Sequence, residues 1–125
     1  AGSAEKKQKK SEKTARDDQV SFEDFQKMHL VTGRVLQASK VQGADKLLKL
    51  EVDIGEKEPR SIVAGLAQHF DPGDMQGRQV VVLANLAPKK IRGVKSHGMV
   101  LAVRQGADMA LLTTTARTQP GSRVS

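Results

Sequence analysis

The sequence predicts an all-β fold: a small closed barrel of five strands, with a short N-terminal helix and a C-terminal extension. Leu48, Leu50, Val52 and Ile54 alternate with Lys49, Glu51 and Asp53, the period-two pattern of a half-buried strand. Residues 80–84 and 99–103 are continuous apolar runs, as expected of strands covered on both faces. Glycines and turn signals divide the rest into unequal loops. Short, strongly bent strands joined in this way close into a barrel more readily than they stack as a sandwich.

Taken in order, Ser21 offers an N-cap hydroxyl and Asp24 a carboxylate three residues on, the pattern of a capping box. A helix over residues 22–28 is expected to follow, with Phe22 and Phe25 on one face packed against the domain. Residues 30–38, LVTGRVLQA, read as the first strand, and Gly33 inside it marks a bulge or a sharp bend. Gly43-Ala44-Asp45 makes a turn before the alternating second strand. Residues 55–59 turn the chain into a third strand at 61–64, and residues 65–70 form a single helical turn. Asp71-Pro72-Gly73-Asp74 is a strong turn signal ahead of the central strand at 80–84. The fifth strand covers 99–103, Gly106-Ala107-Asp108 turns into a last short strand at 109–113, and Pro120-Gly121 turns once more.

A chain of 125 residues suffices for one domain. It has no cysteine, which removes disulfides and thiolate metal sites and fits a reducing, cytoplasmic setting. Nothing in it has the apolar length to span a bilayer, the N-terminus lacks the apolar core of a signal peptide, and no membrane partner is expected. Residues 1–18 mix lysine and glutamate with almost nothing to bury, and are expected to be a disordered charged linker ahead of a domain at 19–125. With no initiator Met, the chain is expected to be a piece of a longer protein. Its three histidines have no metal-ligand spacing, and no nucleophilic triad, P-loop or dinucleotide fingerprint is present, so neither an active site, a metal nor a cofactor is expected.

The net charge is +7. Six cations face four acids in residues 1–18 and fifteen face ten in the remainder, so the domain itself is basic. A basic domain attracts nucleic acid or anionic membrane, with acidic proteins a weaker third option. Three Phe, no Tyr and no Trp leave little from which to build a base-stacking platform, so phosphate contacts and shape should dominate. Residues 85–104 hold five cations (Lys89, Lys90, Arg92, Lys95, Arg104) and no acid. Four of them crowd a short loop with Gly93, where charge and backbone N–H groups can approach a phosphate chain. Arg92 can grip a phosphate bidentately, whereas Lys89, Lys90 and Lys95 act as point charges. Asn85 and Ser96 flank the loop with two readings open: donation to a phosphate or 2′-hydroxyl, or capping of the loop's own backbone. Lys46, Lys49 and Arg34 are candidates to extend the footprint. His97 lies within reach of the same ligand, and Met99 reads chiefly as core filler.

The strings Gly43-Ala44-Asp45-Lys46-Leu47, Ile62-Val63-Ala64-Gly65-Leu66-Ala67 and residues 85–99 (NLAPKKIRGVKSHGM) together resemble the tRNA-binding domain family. Val41-Gln42 stand where that family often has His-Pro. The resemblance covers residues 22–125 and implies a five-stranded Greek-key OB-fold barrel. It implies structure-specific tRNA binding, a homodimer, and attachment to a synthetase body such as methionyl-tRNA synthetase. It also admits a second function, because a bacterial export chaperone that binds polypeptide shares the fold.

Overall fold

The computed structural model describes residues 18–125, and strands dominate them. The linker expected at 1–18 lies outside the described residues, Asp18 apart. The chain runs α1 (Phe22–Gln26), β1 (Leu30–Val41), β2 (Ala44–Asp53), β3 (Arg60–Ala64), α2 (Pro72–Met75), β4 (Gln79–Leu83), β5 (Lys89–Ile91), β6 (Val94–Ser96), β7 (Met99–Val100), β8 (Ala102–Gln105) and β9 (Asp108–Leu111). One antiparallel sheet has the order β3-β2-β1-β4-β7, and β5–β6 and β8–β9 are two-stranded ribbons attached to it. The OB-like barrel is therefore present.

β1 serves both halves of the barrel. Leu30 to Arg34 pair with β4, and Arg34 to Val41 pair with β2. Gly33 sits at this handover, where a Cβ would stand 2.7 Å from Val52 Cγ1. Gly33 thus permits a close strand crossing and is not the bulge. The ladder slips instead between Val35 and Gln37, and again between Lys40 and Val41. Inside, Val35, Leu48, Leu50, Val52, Ile62, Met75, Val80 and Val82 are fully buried. Val80, Val81 and Val82 are buried in succession, as the apolar run requires.

The other apolar run behaves differently. Residues 99–103 break at Leu101, whose N–H bonds Val81 O at 2.9 Å, so that β7 pairs with β4 while β8 turns away to pair with β9. Met99 and Val103 are 49% and 51% exposed, so this is not a strand covered on both faces. The expected turn at 71–74 is the start of α2, with Pro72 in the first turn. α1 is capped by Ser21 Oγ, which accepts from the Asp24 N–H at 3.0 Å, but the Asp24 carboxylate pairs with Lys27 at 3.1 Å instead of closing the box. The helix ends at Gln26 and buries no residue; Phe22 is 70% exposed, and its ring stacks on Phe25 at 6.4 Å. The expected packing of this face is not met by Phe22, while Phe25 is half-buried.

The edge strands are joined by single bonds rather than a ladder. The His97 N–H donates to Ser61 O at 2.9 Å, and the Val63 N–H donates to Ser96 Oγ at 2.9 Å. Arg60 Nη1 adds bonds to the carbonyls of Ala84 and His97. The C-terminal segment then lies along β1: Gly121 N–H donates to Thr32 O at 2.7 Å and Val124 N–H to Leu30 O at 2.8 Å. It approaches the end of β2 backbone to backbone. Gly55 and Gly121 have φ of 85° and 88°, and a Cβ on Gly121 would run into the Ile54 carbonyl.

Gly121→Ala should therefore destabilise the fold by about 2–4 kcal/mol, combining left-handed strain with a backbone clash. Gly73→Ala, with open space around its Cβ, should leave stability within about 0.5 kcal/mol. Urea midpoints of the two variants test the contrast; equal midpoints would contradict it.

Candidate nucleic-acid interface

The basic stretch expected to be a loop is an ordered antiparallel hairpin. Lys89 pairs with Ser96, Lys90 with Lys95 and Ile91 with Val94, across the two-residue turn Arg92-Gly93. Both turn residues have positive φ, 53° and 79°, which matches the right-handed twist of the flanking strands. Alternation puts Ile91, Val94, Ser96 and Lys89 on one face and Lys90 and Lys95 on the other. Ile91 and Val94 pack against Val41, Ala44, Val63 and Leu47, on the outer side of the β1–β3 sheet. Ser96 is buried and its oxygen accepts from Val63. A short ribbon is marginal alone; these apolar anchors and the seam bond fix this one to the barrel.

Lys89, Lys90, Arg92 and Lys95 are all exposed, and among the described residues none forms an ion pair. Lys90 and Lys95 stand directly opposite one another. Like charges in that position destabilise a sheet, and an anion laid against them removes the repulsion. Glu56 and Glu58 line a small cleft shared with Lys95 and His97, and neither forms an ion pair with Lys95.

The remaining candidates separate. Lys49 lies on β2 opposite Val63, on the face the hairpin covers, and Lys46 is exposed next to Leu47 of the anchoring cluster. Asn85 is exposed, but Oδ1 accepts from the His29 N–H at 3.0 Å and Nδ2 donates to Lys27 O at 2.7 Å. It fastens the end of α1 to the end of β4. Ser96 is likewise engaged in the barrel seam. Arg34 is only half-exposed, with Nη2 directed at Thr118 O at 3.4 Å, so it sits under the C-terminal segment and not beside the hairpin. Met99 is exposed, not core filler.

Arg60 escaped the sequence reading. It is held by Glu56 at 2.8 Å and reaches the Ala84 and His97 carbonyls, bracing the corner from which the hairpin springs. The hydrogen bond from Arg60 lowers the Glu56 pKa below 4.5; desolvation opposes this, and the Arg60 and His97 charges assist. A cleft of about 680 Å³ beside this corner is bordered by His29 and by Asn85, Arg60 and Arg123, and the side chains of the last three already make hydrogen bonds within the fold. A second groove, of about 460 Å³, runs between the hairpin, β7 and the β8–β9 ribbon and is mostly apolar. Among the described residues no His, Cys, Asp and Glu cluster could hold a metal, and no helix is long and apolar enough to cross a membrane.

Comparison with known proteins matches residues 30–123 to a family described as a putative tRNA binding domain. A methionine–tRNA ligase of Archaeoglobus fulgidus is 47% identical over 113 residues, covering 90% of this chain and 17% of that protein. One from Thermotoga maritima is 42% identical over 112 residues, covering 90% of this chain and 18% of that protein. This chain thus spans less than a fifth of those relatives' length. Among solved structures, a methionyl-tRNA-synthetase-related protein from Pyrococcus horikoshii superposes with a TM-score of 0.80 at 32% identity, over 86% of this chain and 99% of that one. The chaperone CsaA from Bacillus anthracis superposes with a TM-score of 0.77 at 30% identity, over 86% and 99%.

Two outcomes follow from the local electrostatics. Lys90→Glu converts a repulsive cross-strand pair into an attractive one and should raise stability by about 0.2–1 kcal/mol at low salt, with the gain shrinking as salt is added. Thermal unfolding at two ionic strengths checks it, and a loss of stability would contradict it. For Glu56, the lowered folded pKa means that its contribution is present above the unfolded value of 4.5 and is lost as pH falls through the folded value. Glu56→Gln should flatten that acid limb by a small amount, because the Glu56 side chain is 47% exposed. Comparing melting temperatures of the two proteins from neutral pH to pH about 3 reads the difference.

Proposed function

This chain belongs to the tRNA-binding domain family, and on that footing we propose that its basic hairpin holds folded tRNA by backbone charge and contour. The observation that carries the reading is the acid-free hairpin with Lys90 directly opposite Lys95, a like-charge pairing that an anion laid across it would relieve. Arg92, Lys89, Lys90 and Lys95 make the phosphate contacts, with Lys46 and Lys49 extending the track. Asn85, Ser96 and Arg34 act through the fold, by fixing the elements that present these cations. The domain has no catalytic role. Joined to a methionyl-tRNA synthetase body in the cytoplasm, it acts as a tether that raises the effective concentration of tRNA at chemistry performed elsewhere. The domain pairs with a second copy through the exposed apolar surface of Val20, Phe22 and Met28 near α1.

A second reading draws on the apolar groove and on the likeness to a chaperone: binding of unfolded polypeptide. Salt separates the two. Contacts to about four phosphates give a slope of roughly −3 in log K against log salt, while apolar peptide binding changes little.

Arg92→Ala combined with Lys89→Ala should weaken binding to different tRNAs by similar factors and flatten that slope by about 1.5. Lys90→Glu should bind about tenfold more weakly or worse although it is the more stable protein. A filter-binding titration over several tRNAs measures both; an effect confined to one tRNA would sink the shape-reading model. Sedimentation of the protein and of Phe22→Glu tests the pairing, with monomer expected only for the variant.

A further inference from the structure

The groove beside the hairpin has a character that phosphate contacts do not use. Leu66, Leu86, Ile91, Met99, Leu101 and Met109 line it, Lys89 and Arg104 stand among them, and no acid does. Leu86 and Met99 are 37% and 49% exposed, so the groove's apolar rim is open to solvent, while Leu66 is buried at its base. Exposed apolar side chains gathered in one concavity mark a binding site. The occupant must offer apolar surface to the groove and negative charge to Lys89 and Arg104. A nucleotide in an RNA chain does both, with a base whose faces are apolar and a phosphate on either side of it.

We propose that the groove is a nucleotide pocket that takes one unstacked base of a bound RNA, with Lys89 and Arg104 contacting the phosphates that flank it. This rests on the reading of the hairpin as an RNA-binding element, and it extends the contact surface to β8, beyond the hairpin. Charge decides the occupant. The groove has cations and no acid, and it is continuous with the hairpin that carries Lys90, Arg92 and Lys95. A polyanion is favoured there over an uncharged polypeptide. The base meets aliphatic and thioether groups in place of rings: Phe70 lies under Arg78 at 5.7 Å, and Phe22 stacks with Phe25 on α1. Methionine suits such a surface because its thioether is polarizable and its side chain adapts to different bases. The pocket is consequently tolerant of base identity and selective for the presence of an unpaired base.

The test compares three RNAs: a short duplex with one bulged purine, the same duplex with an abasic bulge, and the fully paired duplex. The wild-type protein should prefer the bulged purine by about tenfold. Ala102→Trp fills the groove from an exposed lining position without removing charge. It should abolish the preference and leave the salt slope unchanged. Met99→Ala, a smaller change at another exposed position, should reduce the preference too and covers the case of a misfolded Trp variant. Arg104→Ala should lower the slope by about 0.7–0.9. Equal binding of purine and abasic bulges would overturn the proposal, as would a preference that survives both groove variants. So would capture of reduced, carboxymethylated lactalbumin that Ala102→Trp eliminates while RNA preference stays intact. Wild-type protein that binds no intact tRNA in dilute buffer would remove the hairpin reading beneath it, a result separable from normal tRNA binding with no preference for the bulge.

Discussion

A five-stranded sheet becomes a barrel here because its two distant edges are tied by a few bonds. Ser96 Oγ takes the Val63 N–H, Ser61 O takes the His97 N–H, and Arg60 spans from β3 to the carbonyls of Ala84 and His97. The other joints in the sheet are paired ladders, that of β1 with β2 slipping at two places. This one is a seam, and it lies at the root of the hairpin. The same contacts that exclude water from Ile62 and Val100 hold β5–β6 at a fixed angle to the barrel. A cationic element presented in that way loses little conformational freedom when a ligand arrives, and preorganisation of this kind contributes to affinity.

The hairpin combines two opposing tendencies. Its inward side is ordinary packing, with Ile91 and Val94 against Val63. Its outward side sets Lys90 against Lys95 with no acid between. A protein selected for stability alone would place opposite charges there. The arrangement makes sense as one half of an electrostatic match whose other half is a separate molecule, and it accords with the family to which the chain belongs.

Much of this was legible in the sequence, and the failures have physical causes. Val80 to Val82 read as a buried strand because a strand covered on both faces leaves no position for a polar residue. The cap at Ser21 was visible because its chemistry is local. The hairpin was not recognised as one, since Ile91 and Val94 are its only apolar residues and an arginine occupies a turn position where Asn, Asp or Gly is the usual signal. The break at Leu101 left no mark inside a continuous apolar run. Gly33 drew attention away from the slip beside Leu36, because a glycine in a strand signals either a bulge or a close approach and only the neighbouring chain decides which. Arg60 was invisible for the same reason: its carbonyl partners lie 24 and 37 residues away. Periodicity grouped Phe22 with Phe25 but could not say whether anything covered them.

Arg92 is the one non-glycine residue with a positive φ among those described. At that corner the backbone asks for glycine or asparagine, and the proposed phosphate contact asks for a guanidinium. No residue satisfies both. Directed evolution for heat tolerance alone would therefore erode this position early, giving a sturdier molecule with a blunted fingertip.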